Sequence, residues 1–269
     1  KRADGFRQEN NDSERVTFGG NVGWQSSSGA STRLFLEGVD VDFGVPGPLN
    51  AEQLRNDPRQ VNEGIQPPPP GPDTGTTSVG PNVIRDDPFR SSEAGRITLT
   101  HDRPAGMGVA QIGTFYQQVD DTFASPTNFR VSDSDDFGAH VRWRGDRFMA
   151  GLRVHAGQTD RVYRANERGK AGRAFADNDL EAINTTVFGE WRQPLQERVT
   201  LILGAQAVRE HREIDEQFDN PGSRPRYNAL KDQYIKPFSA DPANLDRSFE
   251  AFNPRIGLLF EPNPETTLF

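Results

Sequence analysis

The side chains with the most chemistry to offer are four histidines, His101, His140, His155 and His211, and they are scattered along the chain. None belongs to an H-E-x-x-H pair, and no acid-rich calcium loop is present. Cysteine is absent, which removes thiol nucleophiles, thiolate metal sites and disulfides together. The sequence therefore offers no catalytic constellation, and neither a resident metal nor a cofactor is expected. Recognition is different. Arg153 carries a planar five-donor fork, His140 and His155 become cationic when protonated, and Gln117 and Gln206 both donate and accept. Together they suit an anionic ligand. A lumen-side pair of His140 and His155 is read as solvated rather than metal-bound, and Arg85, Phe89 and Tyr163 in the connections compete for ligand contact.

Amphipathic strands must position these groups. Residues 15–24, 32–43, 94–102, 109–119, 136–144, 147–159, 182–192, 199–208 and 250–260 each read as a strand, separated by connections that run short, long, short, long. The long ones cover 44–93, 120–135, 160–181 and 209–249. In 136–144, Phe137, Ala139, Val141 and Trp143 share one face while Gly138, His140, Arg142 and Arg144 share the other. After a two-residue turn, Phe148, Ala150, Leu152, Val154 and Ala156 oppose Met149, Gly151, Arg153, His155 and Gly157. Ile202 departs from its strand's pattern. Residues 32–43 change parity near Glu37-Gly38, from Leu34 and Leu36 to Val39, Val41 and Phe43, and a bulge is expected there.

Composition narrows the class. Only 33% of the 269 residues are hydrophobic, with 26 glycines and 20 prolines, so apolar side chains suffice for one face of a sheet and little more. No run approaches the ~18 apolar residues of a membrane-crossing helix, but a crossing strand needs only ~9–11. A net charge of −8 argues against a nucleic-acid partner. Arginine and histidine on the polar face would be costly in a dry sandwich core, whereas the interior of a wide barrel is wet or plugged. Trp24, Trp143 and Trp191 all fall just before a short turn, where an aromatic girdle at a membrane interface would place them. The expected fold is all-β: an antiparallel up-and-down transmembrane barrel with short turns on one side and long loops on the other. Nine complete strands and the start of a tenth make it partial, and a chain opening at Lys1 reads as an internal piece.

Three stretches carry a family likeness: Asp4-Gly5-Phe6-Arg7 with Asn11, Ser13 and Arg15; Pro46-Gly47-Pro48-Leu49 with Gln53-Leu54 and Asp57-Pro58-Arg59; and Phe252-Asn253-Pro254-Arg255-Ile256-Gly257-Leu258-Leu259-Phe260-Glu261-Pro262. In order and spacing the sequence resembles the TonB-dependent outer-membrane receptors, the siderophore-receptor branch in particular. The resemblance implies that residues 1–269 are part of a 22-stranded barrel, with the N-terminal plug, its TonB box and the C-terminal strands outside the chain. It implies active import across the outer membrane of a Gram-negative bacterium, no enzyme activity, and as partners a ferric siderophore or other scarce nutrient, outer-membrane lipid and, through the plug, the TonB complex. Iron would enter only as part of a chelate. A passive porin shares the strand pattern but has fewer strands and one loop folded inward, so the long connections 44–93 and 209–249 favour a receptor, and a soluble adhesin or solenoid predicts short loops on both sides and no tryptophan girdle. The ligand stays open among catecholate, hydroxamate and citrate-type chelates, cobalamin and sugars.

Three short motifs are absorbed by the architecture. Arg144-Gly145-Asp146 forms a hairpin turn, Asn184-Thr185-Thr186 lies inside a strand rather than a glycosylated loop, and the proline run 67–70 is a stiff spacer.

Overall fold

The computed structural model describes residues 1–63, 82–217, 224–229, 231–238, 244–263 and 266–268; the proline run 67–70 lies outside them. Thirteen strands follow in chain order: β1 (Arg2–Ala3), β2 (Ser13–Gln25), β3 (Ser31–Gly44), β4 (Phe89–Ala105), β5 (Gly108–Ala124), β6 (Asn128–Gly145), β7 (Phe148–Asn166), β8 (Ala171–Gln196), β9 (Val199–Glu216), β10 (Arg224–Asn228), β11 (Gln233–Phe238), β12 (Leu245–Asn263) and β13 (Thr266–Leu268). Two short helices, α1 (Ala51–Asn56) and α2 (Val83–Asp86), interrupt the connection between β3 and β4. One eleven-stranded antiparallel sheet takes the order β1 to β9, then β12 and β13, with each strand beside its sequence neighbour, while β10 and β11 form a separate hairpin. This is an up-and-down sheet, open at its two ends. No described helix is long and apolar enough to cross a membrane.

Because directly paired residues share a face, register carries polarity from strand to strand. Leu36 pairs with Ile97, Ile97 with Tyr116, Tyr116 with Phe137, Phe137 with Ala156, and Ala156 with Ile183. A lower row runs Ile112, Val141, Leu152, Val187, Ala207, Phe252. These rows lie on the open outer surface: Ile112 and Val187 are 55% exposed and Phe252 is 68% exposed. So much apolar area on a regular face is what a lipid-facing surface requires.

A few residues further toward the long connections, the same face changes character. Asp40 pairs with Glu93, Glu93 with Asp120, Asp120 with Asp133, Asp133 with Asp160, Asp160 with Asp179, and Asp179 with Asp215. Seven consecutive strands thus each place a carboxylate in one unbroken row. Among the described residues none of the seven forms an ion pair with lysine or arginine. Burial, reinforced by Asp160, Asp177 and Asp215, pushes the Asp179 carboxyl above the ordinary carboxylate range.

Two expectations are corrected here. Strand β3 pairs continuously with β2 from Ser31 to Phe43 and with β4 from Ser31 to Gly44, without a bulge at Glu37-Gly38. The pleat keeps its parity; what changes is the surroundings, since Asp40 and Asp42 turn outward where the apolar band has ended and Val39, Val41 and Phe43 turn to the other face. Gly38 lies beneath the Phe18 ring, where an added Cβ would stand 2.0 Å from a ring carbon. The second correction concerns 120–135 and 160–181, which are strands rather than loops. Strands β5 and β6 run on to a turn at 125–127, and β7 and β8 to one at 167–170, where Arg168 and Gly169 take φ of 54° and 84°. Polar side chains stand on both faces here, so alternation is lost although the ladder continues. Strand-level irregularities fall elsewhere, within Tyr163–Asn166, Pro194–Gln196 and Phe260–Asn263.

The packed core sits at the ends of these long hairpins. Val61, Val83, Ala124, Phe129, Ala165 and Ala176 are buried, together with Asp86 and Asn166. Asn50 caps α1 through Oδ1, which accepts from the amides of Glu52 and Gln53, while Gln53 Oε1 accepts from the Asn50 amide. In α2 the fully buried Asp86 carboxylate accepts from Arg85 Nε and Nη2. Asn166 Nδ2 donates to the carbonyls of Asp86 and Ser125, and its Oδ1 accepts from the Gly169 amide. One side chain thereby ties the β3–β4 connection to the tips of both long hairpins.

Candidate functional site

The face opposite the apolar band is polar, and all five sequence-selected residues lie on it. Gln117 stands across from Arg96 and Asp136, and its Oε1 accepts from Arg96 Nη1 at 3.4 Å. Arg96 also covers the Phe115 ring at 4.0 Å. His140 pairs directly with Arg153, whereas His155 sits opposite Gly138 and contacts Asp136 Oδ1 through Nε2 at 3.2 Å. Gln206 lies between Phe188 and Asn253. The five do not converge on one point. The described residues contain no group of three His, Cys, Asp or Glu side chains arranged to hold a metal. His101 and His211 lie on the outer face, bonded to Thr32 and Ser248.

Height departs from expectation. Strand bounds of 109–119, 136–144, 147–159 and 199–208 put the five near the long-connection ends, yet β7 runs on from Arg153 to Asn166, β6 reaches back from His140 to Asn128, and β9 continues from Gln206 to Glu216. They occupy the middle of the wall, because the segments beyond them are strands. At the true rim stand other groups. Asp121 accepts from Arg90 Nε at 2.7 Å and Arg130 Nη2 at 2.8 Å. Burial pushes its carboxyl up, but the two guanidiniums outweigh this and leave it below the ordinary range. The β10–β11 hairpin holds an edge-on Tyr227–Tyr234 pair across its two strands and packs against the β7–β8 tip through Arg173, which lies over the Tyr234 ring at 4.4 Å and donates its amide to the Tyr234 hydroxyl. Burial and the bond to Asp232 push the Tyr227 hydroxyl up to about 12. Of the competing loop residues, Arg85 is engaged with Asp86, Phe89 packs edge-on with Phe129, and Tyr163 stacks near Phe175.

Two of the five, Arg153 and Gln206, line a shared hollow of about 440 Å³ between β7, β8, β9 and β12, with Thr186, Phe188, Asn253 and Arg255. Parity alone places Asn253 and Arg255 on the polar face. Their adjacency to Gln206 depends on β9–β12 register, which a sequence with a long intervening connection does not fix.

Trp24, Trp143 and Trp191 lie on the apolar face at the short-turn ends; Trp24 is 56% and Trp191 42% exposed, and Trp143 Nε1 donates to the Ala105 carbonyl. The sequence matches, over residues 6–269, the model of the family described as TonB dependent receptor-like, beta-barrel. The chain belongs to that family. TonB-dependent receptors are outer-membrane proteins of Gram-negative bacteria and act as receptors and transporters rather than enzymes. Solved structures agree on the fold. The ferric citrate transporter FecA in its unliganded form superposes with a TM-score of 0.67 at 13% identity, covering 97% of this chain and 35% of that one. The ferric yersiniabactin uptake receptor FyuA from Yersinia pestis gives 0.62 at 9% identity, with coverages of 98% and 38%. BauA, the ferric preacinetobactin receptor from Acinetobacter baumannii, gives 0.57 at 11% identity, with 97% and 39%. The chain thus spans well under half the length of these receptors. No curated protein sequence matches it.

Proposed function

We propose that this chain is wall-forming sequence of an outer-membrane receptor that imports a ferric siderophore by TonB-dependent active transport. The observation that carries the reading is the family match across nearly the whole chain, on a sheet with an exposed apolar outer band and an arginine-rich inner face. In this reading the band lies in lipid, the short turns face the periplasm, and Trp24, Trp143 and Trp191 form the periplasmic girdle. The β5–β6 and β7–β8 hairpins then project outside the cell as ribbons carrying the Asp121 clamp and the tyrosine cluster. Gln117, His140, Arg153, His155 and Gln206 line the lumen as candidate ligand contacts. The full receptor closes as a 22-stranded barrel around a plug whose TonB box couples to the TonB complex. The solved relatives named above are all receptors or transporters of ferric chelates, which favours this reading over a passive channel.

Deleting the complete gene should abolish growth of its host on one ferric siderophore as sole iron source, and the intact gene should restore it only in a strain with functional TonB. Restoration without TonB would support a passive channel instead.

A further inference from the structure

The outer apolar band is interrupted at one place. Along the row from Ile112 through Val141, Leu152 and Val187 to Phe252, every strand presents a branched or aromatic side chain except β9, which presents Ala207. One row nearer the short turns, Gly189 and Ala205 are small as well. A hollow of about 410 Å³ opens there on the lipid-facing side, with Val187 and Phe252 as its walls, Ala207 as its floor, and Thr185, Arg209 and Glu250 along its upper edge.

That edge carries charge found nowhere else at its level. In its row the strands β5 to β8 present Thr114, Ala139, Val154 and Thr185, all uncharged, and then come Arg209 and Glu250. Among the described residues Arg209 is the one arginine that the outer face of the sheet carries between the carboxylate row and the short-turn ends, Arg103 standing at such an end. The apolar side chains of β9 and β12 stop at Ala207 and Phe252, so Arg209 and Glu250 stand where the band gives way to polar surface, with His211 and Ser248 in the next row and Glu213 and Asp246 beyond. Arg209 Nε lies 3.9 Å from Glu250 Oε1 and both side chains are exposed. Such a loose, solvated pair leaves most donors of the guanidinium and most lone pairs of the carboxylate free.

An apolar hollow ending in two opposite charges side by side is the complement of a lipid whose headgroup joins a phosphate to an ammonium group. The planar fork of Arg209 suits the phosphate, and the three donors of a primary ammonium suit Glu250, with the Asp246 and Glu213 carboxylates close above. A purely anionic headgroup would leave Glu250 opposed. We propose that this hollow seats one membrane lipid of the phosphoethanolamine class, an acyl chain lying over Ala207 between Val187 and Phe252, its phosphate on Arg209 and its ammonium on Glu250. The site requires only that the outer face meet lipid, and so stands apart from the importer reading.

Native mass spectrometry of the complete receptor in detergent, titrated with phosphatidylethanolamine and with phosphatidylglycerol of the same acyl chains, tests this. One phosphatidylethanolamine per barrel should be retained in preference to phosphatidylglycerol. Arg209→Gln should weaken its retention about tenfold, the size of one charge-assisted pair, with part of the loss recovered in Arg209→Lys, whereas Arg103→Gln on the same face should change it less than twofold. Glu250→Gln should weaken phosphatidylethanolamine and not phosphatidylglycerol. Ala207→Leu fills the hollow and should weaken both lipids, while Ala139→Leu, on the same face outside it, should weaken neither. Equal retention of the two lipids, equal effects of Arg209→Gln and Arg103→Gln, or equal effects of Ala207→Leu and Ala139→Leu would overturn the proposal. So would a receptor dimer that Ala207→Leu dissolves, since a second copy would then occupy the hollow.

Discussion

Replacing Asp160 with Asn should stabilise the folded receptor, the reverse of the usual outcome for a single substitution. Asp160 sits in the carboxylate row with Asp133 directly across one strand boundary and Asp179 across the other. Opposed side chains bring their Cβ atoms to about 5 Å, so neighbouring carboxylates stand about 6 Å apart. In water each pair then repels by ~0.7 kcal/mol. At 0.01 M salt, where the screening length is ~30 Å, about 0.6 kcal/mol of that survives; at 1 M, where it is ~3 Å, about 0.1 remains. Losing two such pairs gives a gain of ~1 kcal/mol at low salt that nearly vanishes at high salt. Asp215, at the end of the row with one carboxylate neighbour, should give about half as much. The double change Asp133→Asn with Asp160→Asn should fall short of the sum of the singles, because their shared pair can be relieved only once. Urea unfolding of the complete receptor in lipid vesicles at both salt concentrations measures this. Destabilisation by Asp160→Asn at low salt, or a stabilisation indifferent to salt, would refute the argument.

Leu152→Arg, on the apolar face, should cost about 2–4 kcal/mol near the bilayer midplane. Gly151→Arg, on the other face, should act by crowding Phe188; Phe188→Ala should therefore rescue Gly151→Arg and leave Leu152→Arg unrescued in the same unfolding assay. Asp121, lowered at its clamp, contributes stability that is present above the ordinary carboxylate pKa and lost as pH falls through its lowered value, so Asp121→Asn should remove that acid-side loss. Asp179, raised, has the opposite sign: its contribution is present below the ordinary value and lost as pH rises through the raised one. Mild acidification should therefore stabilise the native receptor, and Asp179→Asn should erase that gain in a pH series of unfolding midpoints. Asn166→Ala leaves the buried Asp86 carbonyl and the Gly169 amide unpaired and should cost about 2–3 kcal/mol, read as faster proteolysis within the β3–β4 connection.

Alternation made nine strands and their faces legible, because lipid on one side and polar groups on the other impose opposite demands on successive residues. Where the wall leaves the lipid that contrast ends. Residues such as Asp120, Asp133, Asp160 and Asp179 then read as loop although they are paired in ladders. The apparent parity slip at Gly38 has the same origin. For the candidate site, parity put Arg153 and Gln206 on the polar face, but their meeting with Asn253 and Arg255 depends on the register of β9 against β12. The Asn166 junction left no sequence signal, since an asparagine after a strand does not announce a partner 80 residues earlier.

That junction also sets an order of events. The bond from Asn166 to Asp86 closes a loop containing all of β4, β5, β6 and β7, so it forms only after those strands have found their register and the chain has turned into β8. Contacts of such separation arrive late on a folding pathway, since the closure entropy falls due before the bond contributes anything. The clasp therefore belongs to the descending side of the barrier. Weakening it should quicken unfolding while leaving assembly nearly as fast, and its strength is set aside for holding a finished wall rather than for building one.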